Sequence, residues 1–346
     1  MNKTTLLLLV IFVSSTFCMA CPAAHSANRQ QEKGISLRFN KDKTFKVMQF
    51  TDLHLSSKNE NEDNRSVKTI ARMEKIVKAE KPDVIILTGD NVTEAPAKPM
   101  WGLLLSKLED LKTPFVLLFG NHDAEQELSR EEMSRMVVAN RYSLNTLNEK
   151  GELADLDIPV LGSDGGKVEA ALYCLDSHDY STLEGIEGYG WFTQSQIDWV
   201  RERCLTRTAE NDGKHLLSLA YFHIPLVECE TSWSHHGNSR VGIRGENECP
   251  GVLNTGMFAT MIETGNILGV FSGHDHDNDY MVGEQGIAIG YGRFSGSHNT
   301  YTHLRPGARI VILEEGKRVF KTYIREEEER CDDTVYFQDN KFIEEK

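Results

Sequence analysis

Residues 114–123 read Pro-Phe-Val-Leu-Leu-Phe-Gly-Asn-His-Asp, an apolar run of strand length that ends in a cluster of polar side chains. A short apolar run that Gly stops is typical of a strand buried on both faces of a parallel sheet. In open α/β sheets, ligands bind just beyond the carboxyl ends of such strands. The sequence therefore places an amide, an imidazole and a carboxylate at a candidate functional edge.

Four other strand-like segments end in the same way. They are residues 45–50 before Asp52 and His54, residues 84–87 before Asp90, residues 216–222 before His223, and residues 267–271 before His274 and His276. Because the carboxyl ends of parallel strands meet at one edge, we expect these side chains to lie together. Helical segments alternate with the first strands, which predicts an α/β fold with right-handed crossovers. Ser129 with Glu132, and Thr193 with Gln196, form capping-box patterns that begin two of the helices.

The ordered set Asp-x-His, Gly-Asp, Gly-Asn-His-Asp, His and Gly-His-x-His resembles the calcineurin-like metallophosphoesterase superfamily. All five blocks are present in order between Asp52 and His276. Within that superfamily, residues 188–193 and 273–279 resemble the branch of purple-acid-phosphatase-like phosphohydrolases. The resemblance implies an α/β fold in which two mixed sheets pack face to face as a sandwich, flanked by helices in α-β-β-α layers.

The resemblance also implies two divalent or mixed-valence metal ions, of Fe, Mn or Zn. Asp90 would bridge them, Asp52, His54 and His276 would complete the first site, and Asn121, His223 and His274 would complete the second. Carboxylate, amide and imidazole groups suit such ions, and the absence of Cys from the set argues against structural zinc.

By the same resemblance, His122 contacts the phosphate and protonates the leaving oxygen, and Asp123 orients His122. Tyr291 and Arg293 follow a predicted strand, and an Arg there would clamp a substrate phosphate. A surface ion pair is the alternative for Arg293. Purple acid phosphatases carry a metal-bound Tyr where this chain has Thr93, which weakens the case for a coloured ferric site but not for hydrolysis.

We therefore expect a phosphohydrolase that cleaves phosphate esters, phosphomonoesters foremost, by in-line attack of a metal-bound hydroxide. A phosphodiesterase or nucleotide hydrolase with the same metal site is the alternative enzyme. A non-catalytic, metal-containing surface binding protein is the alternative of a different class, and the intact ligand set argues against it.

The 346-residue chain has a formal net charge of -14 and no stretch rich in Lys and Arg. Phosphate backbones bind clustered basic side chains, so we expect a small-molecule phosphate ester as the partner and no nucleic acid. The polar stretch 228–254 predicts a long loop that narrows the mouth of the site.

The chain divides into four predicted parts. Residues 1–20 are typical of a signal peptide, since a basic start precedes an apolar run too short to span a bilayer and a small residue, Ala20, ends it. Residues 21–44 predict a tether, residues 45–325 the metallophosphoesterase domain, and residues 326–346 a charged, solvated tail. Cys21 resembles a bacterial lipoprotein acceptor, so we expect an exported protein, periplasmic or at the cell surface, either released or anchored by lipid.

Overall fold

The computed structural model describes residues 34–58, 64–297, 300–328 and 334–345. The predicted signal peptide and Cys21 lie outside these ranges. Strands are β1 (Leu37–Arg38), β2 (Thr44–Phe50), β3 (Val84–Thr88), β4 (Phe115–Leu118), β5 (Leu156–Leu161), β6 (Val168–Cys174), β7 (Leu217–Tyr221), β8 (Arg240–Val241), β9 (Ile267–Ser272), β10 (Met281–Glu284), β11 (Ile287–Tyr291), β12 (Gly307–Glu314), β13 (Phe320–Glu326), β14 (Val335–Gln338) and β15 (Lys341–Glu344). Helices are α1 (Arg65–Glu80), α2 (Lys98–Leu111), α3 (Arg130–Ala139), α4 (Gln194–Glu210), α5 (Glu228–Ser234) and α6 (Met257–Thr264), and His122–Ala124 forms one 3₁₀ turn.

The strands form two mixed sheets. Sheet I has the order β1-β5-β6-β7-β9-β11-β10-β8, and sheet II has the order β15-β14-β13-β12-β2-β3-β4. The strands that the polar motifs follow run parallel to one another within each sheet, β2-β3-β4 in sheet II and β7-β9 in sheet I. Their carboxyl ends therefore lie at one edge of each sheet, which is where α/β proteins place their ligands.

The core has three layers of apolar side chains, one between the sheets and one on each outer face. Alternation along β3 shows how one strand serves two layers, since Val84 and Ile86 pack between the sheets while Ile85 and Leu87 pack against the helices on sheet II. Helices α4 and α6 cover the outer face of sheet I. The predicted sandwich with helices on both outer faces is confirmed.

Both predicted capping boxes are present. The Ser129 hydroxyl accepts from the Glu132 backbone N–H and begins α3, and Thr193 with Gln196 begins α4 in the same way. Each cap satisfies backbone N–H groups that have no partner within the helix, so these two helices begin at the residue that the sequence predicts.

The predicted tether and tail are corrected at both ends of the domain. Strand β1 lies within residues 21–44 and pairs with β5, and Phe39 next to it is buried. In the predicted tail, β14 pairs with β13 and with β15, and Phe337 is fully buried. A few apolar side chains suffice to add short strands at the edge of an existing sheet, although charged residues surround them.

The stretch 228–254 is also more ordered than a long loop. It begins with α5 and contains β8, which pairs with β10. Arg244 makes a double contact with the buried carboxylate of Glu248, which also accepts a hydrogen bond from Tyr280. Among the described residues, no helix is long and apolar enough to cross a membrane.

Candidate metal centre

Every predicted metal ligand lies within a few residues of the carboxyl end of a strand, and the strands come from both sheets. Sheet II supplies Asp52 and His54 after β2, Asp90 after β3 and Asn121 after β4, and sheet I supplies His223 after β7 and His274 and His276 after β9. All seven side chains are buried. The structure thus brings the whole predicted set to one place.

The backbone bends sharply at four of these ligands. Asp52, His54, Asp90 and His274 have φ values of 54°, 44°, 50° and 80°, in the left-handed region that residues with a Cβ rarely adopt. Such conformations persist only where the surrounding structure holds them, and they concentrate at functional sites.

The glycines in the motifs serve two different purposes. Gly89 has a φ of +92°, so it permits a turn just before Asp90. Gly120 provides space, because a Cβ there would lie 2.2 Å from Asp90 Oδ1 and 2.7 Å from His223 Nε2. Gly273 is similarly crowded, with a Cβ position 1.9 Å from Thr51 Oγ1. The chain after β4 and the chain after β9 therefore each lie closer to a neighbouring strand end than a side chain at Gly120 or Gly273 would allow.

The ligand atoms fall into two groups that share one carboxylate. The first group is Asp52, His54, Asp90 and His276, and the second is Asp90, His223 and His274, with the atoms of each group within 4.8 Å of one another. Asp90 Oδ2 lies 3.5 Å from His54 Nε2 and 3.3 Å from His223 Nε2. Asn121 joins the second group, since its Oδ1 lies 3.2 Å from His223 Nε2. The arrangement fits two cations bridged by Asp90.

The chemistry of the donor set supports the fit. His54 Nε2 and His276 Nε2 are 3.2 Å apart, and His274 Nδ1 and His223 Nε2 are 3.3 Å apart. Asp90 Oδ2 is buried and accepts no hydrogen bond from the described residues. Two ring nitrogens this close repel through their lone pairs unless a proton or a metal ion lies between them, and a buried carboxylate oxygen without a hydrogen bond is costly. A metal ion at each group removes both costs.

Burial and charge also set the protonation of the imidazoles. Burial lowers the pKa of His54 to about 4 and, together with His223, lowers the pKa of His274 to about 3, so both rings are neutral at pH 7. Burial also lowers the pKa of His223, but the negative charge and the hydrogen bond of Asp90 together have the larger effect and raise that pKa to about 10. A proton and a metal ion would compete for the same ring nitrogen of His223, so metal binding there would release a proton.

Neighbouring groups fix which ring nitrogen faces the centre. His223 Nδ1 lies 2.7 Å from the Thr88 carbonyl oxygen, and His276 Nδ1 lies 2.9 Å from the Tyr301 carbonyl oxygen. Each carbonyl accepts from Nδ1–H and so leaves the Nε2 lone pair directed at the ligand group, the usual arrangement around metal-binding histidines.

The partner predicted for His122 is wrong. The Asp123 carboxylate accepts from the backbone N–H groups of Asn91, Val92 and Gly120, so it holds the turns after β3 and β4 together. Burial, with Asp90 nearby, raises the pKa of Asp123 to about 6. Glu125 occupies the predicted role instead, because its Oε2 lies 2.6 Å from His122 Nδ1.

The burial of Tyr291 and Arg293 argues against the suggested contact with substrate. Tyr291 is fully buried, and its hydroxyl donates to Asp275 Oδ2 at 2.7 Å. Arg293 is 3% exposed and pairs with Asp279 and Glu326. The ion-pair alternative for Arg293 is therefore correct, but the pair is in the interior.

Sequence reasoning missed several residues around the mouth. Tyr180 donates to Glu125 and accepts from Asn121, the Tyr189 ring meets the His274 ring edge-on at 4.3 Å, and the Tyr301 ring stacks on His276 at 4.5 Å. The one available signal was the i, i+3 spacing of His122 and Glu125, which places two side chains on one face of a helical turn. The tyrosines arrive from loops that carry no comparable pattern.

Comparisons with known proteins identify the family and the fold. A family model described as calcineurin-like phosphoesterase matches residues 45–278. A probable inactive purple acid phosphatase 29 of Arabidopsis thaliana is 29% identical over 345 residues, covering 90% of this chain and 86% of the relative. The phosphatase DCR2 of Saccharomyces cerevisiae is 28% identical over 263 residues, covering 69% of this chain and 45% of the relative. A dimetal phosphatase from Danio rerio has a similar fold, with a TM-score of 0.60 at 11% identity over 85% of this chain and 99% of that structure.

Proposed function

The chain belongs to the calcineurin-like phosphoesterase family, and from that premise we propose that it is a dinuclear-metal phosphohydrolase acting on phosphomonoesters. The observation that carries the proposal is Asp90, a buried carboxylate common to two groups of imidazole and carboxylate ligands. A protein that only bound one cation would have no use for the second group.

Each side chain has a proposed task. Asp52, His54 and His276 would hold the first ion, Asn121, His223 and His274 would hold the second, and Asp90 would serve both. When bound, two such ions offset the charge of the phosphoryl oxygens and lower the pKa of a bound water. The ions are proposed to be Fe, Mn or Zn, without a tyrosinate ligand, because Thr93 occupies the position that the resemblance gives to that Tyr.

His122 is proposed to protonate the leaving oxygen. Its ring is 38% exposed at the mouth, with its centroid 5.7 Å from that of the ligand His54. Because Nδ1 faces Glu125, Nε2 is the ring nitrogen that can meet a substrate. A donor within hydrogen-bond reach of the leaving group accelerates such reactions by about a hundredfold or more.

The substrate is proposed to be a small, soluble phosphate ester, and the protein is proposed to be exported. The acidic net charge of -14 supports the first point, and the pattern of residues 1–20 supports the second. Attachment of lipid to Cys21 is the alternative to simple release.

A non-catalytic, metal-holding protein is the second candidate, and the word inactive in the name of the Arabidopsis relative favours it. Metal analysis and turnover of an aryl phosphate separate the two. We expect about two ions per chain, hydrolysis of the monoester faster than that of an aryl bis-ester, and loss of both metal and turnover in Asp90→Asn. Two bound ions without turnover of either ester would favour the binding protein, and preference for the bis-ester would make the chain a phosphodiesterase.

A further inference from the structure

One carboxylate at the mouth of the centre contacts two residues that belong to different parts of the proposed machinery. Glu125 Oε2 lies 2.6 Å from His122 Nδ1, and Glu125 Oε1 accepts from the Tyr180 hydroxyl at 2.7 Å. Both distances are within the range of hydrogen bonds. Glu125 therefore uses both oxygens on named partners.

Tyr180 extends this network to a metal ligand. Its hydroxyl oxygen accepts from Asn121 Nδ2 at 3.1 Å. An amide held by its nitrogen presents its oxygen in the opposite direction, and Asn121 Oδ1 indeed lies 3.2 Å from His223 Nε2 within the second ligand group. The contact with Tyr180 thus selects the amide orientation in which oxygen faces the metal position.

The network contributes little to the fold itself. The side chains of His122 and Glu125 are 38% and 43% exposed, and Tyr180 is 41% exposed. Exposed ion pairs add little to stability. The buried Asp123, which holds three backbone N–H groups, already fixes the turn. The hydrogen bonds among His122, Glu125 and Tyr180 are exposed and add little to the stability of the fold. The metal centre beside them is therefore the better explanation for their presence.

We infer that Glu125 and Tyr180 are a positioning pair that sets the imidazole of His122 and the amide of Asn121 together. The inference rests on the proposed function for the role of His122, but its effect on Asn121 concerns metal affinity alone. Groups behind a metal ligand usually change affinity or activity by about tenfold to a hundredfold when removed.

Metal titration tests the Asn121 contact without any turnover. Calorimetric titration of the apo protein with Mn²⁺ should give affinity for the second ion about tenfold weaker in Tyr180→Phe and Glu125→Ala than in the parent. Glu125→Gln should restore most of the affinity lost in the Ala variant, because an amide can still pair with the Tyr180 hydroxyl. The matched control is Glu131→Gln, since Glu131 is an exposed residue of the same region whose carboxylate pairs with Arg135 on α3.

Kinetics test the His122 contact. With Mn²⁺ saturating, Glu125→Ala should lower kcat by about tenfold to a hundredfold on an alkyl phosphate and far less on a nitrophenyl phosphate, with KM nearly unchanged. Tyr180→Phe should change kcat for the two esters by the same factor, because His122 keeps its partner Glu125 in that variant.

Three results would overturn the inference. They are parental Mn²⁺ affinity in both Tyr180→Phe and Glu125→Ala, an equal loss on the two esters in Glu125→Ala, and effects of the same size in Glu131→Gln. A parent that turns over neither ester would instead defeat the proposed function, and the Mn²⁺ titration would still decide whether the pair positions Asn121.

Discussion

Asp90 joins the two ligand groups, and its surroundings explain why one residue matters so much. Its Oδ2 faces the imidazoles of both groups, while its Oδ1 accepts from the His122 backbone N–H at 2.9 Å. The same carboxylate therefore connects the metal positions to the residue proposed to protonate the leaving group. At this scale the sequence predicted which residues come together, because each lies within a few residues of a strand end, and it missed Glu125 and Tyr180, whose positions depend on loop conformations.

His122→Ala should retain both metals and lose rate, since His122 lies outside the two ligand groups. The loss should be about a hundredfold or more on alkyl phosphates and least on aryl phosphates, whose leaving groups need little protonation. Metal content by elemental analysis and kcat for a series of leaving groups are the measurements. Equal losses across the series would exclude a role in protonation, and loss of metal would make His122 a ligand or its support.

Gly120→Ala should damage the centre without touching a ligand. The added Cβ would lie 2.2 Å from Asp90 Oδ1, so the carboxylate or the turn after β4 must move. We expect weaker metal binding and a kcat/KM about tenfold to a hundredfold lower. Gly102→Ala in α2 is the matched control, because nothing lies within 4 Å of its Cβ position, and it should raise stability by about 0.5–1 kcal/mol with normal activity. Parental activity in Gly120→Ala would mean that the space is not required.

Among the elements, the central strands were predictable and the edge strands were not. Strands β2, β3 and β4 have apolar side chains on both faces, and that pattern identifies a buried strand by itself. Strands β14 and β15 lie among charged residues and are four residues long, so local sequence indicates a solvated segment. These strands form because β14 pairs with β13, and a tertiary contact of this kind cannot be read from local sequence.

Phe337→Ala should show that β14 belongs to the core. Its ring is fully buried and packs on Phe320 and Phe342, with centroids 5.6 Å and 5.0 Å away. Removing a buried ring of this kind costs about 3–5 kcal/mol of unfolding free energy, measurable by chemical denaturation. Ile343→Ala on the neighbouring strand is the control, since Ile343 is 50% exposed and its loss should change stability by no more than about 0.5 kcal/mol. If both variants change the free energy of unfolding by similarly small amounts, residues 334–345 are a solvated tail, as the sequence predicted.

At the scale of the whole molecule, the candidate centre is shared by the two sheets. Because neither sheet holds a complete ligand set, bound ions should link the sheets and stabilise the folded state. At a free metal concentration a hundred times Kd, one site adds about 2.7 kcal/mol. Thermal unfolding with Mn²⁺ and with chelator should therefore differ by several degrees, and Asp90→Asn should abolish most of the difference. A Tm that is independent of metal would argue against tight binding.

Charge over the whole surface predicts substrate scope. The net charge of -14 repels polyanions, and Glu246 lies near the mouth, where its Oε2 accepts from the hydroxyl of Tyr301. We expect kcat/KM for a single-stranded oligonucleotide to be at least about tenfold below that for an aryl phosphate at low salt. The gap should narrow as salt is raised, because screening weakens repulsion. Efficient internal cleavage of the oligonucleotide at low salt would contradict both this expectation and the monoesterase proposal.

The sharing of ligands between sheets also has a consequence for the order of events during synthesis. Asp52 and His274 touch across 222 positions of the chain, so the first ligands leave the ribosome long before the last. Contacts between such distant positions form late in folding, after the loops between them have closed. We therefore expect an ion to enter a nearly finished protein, unlike a zinc finger, whose short ligand spacing lets the metal nucleate the fold.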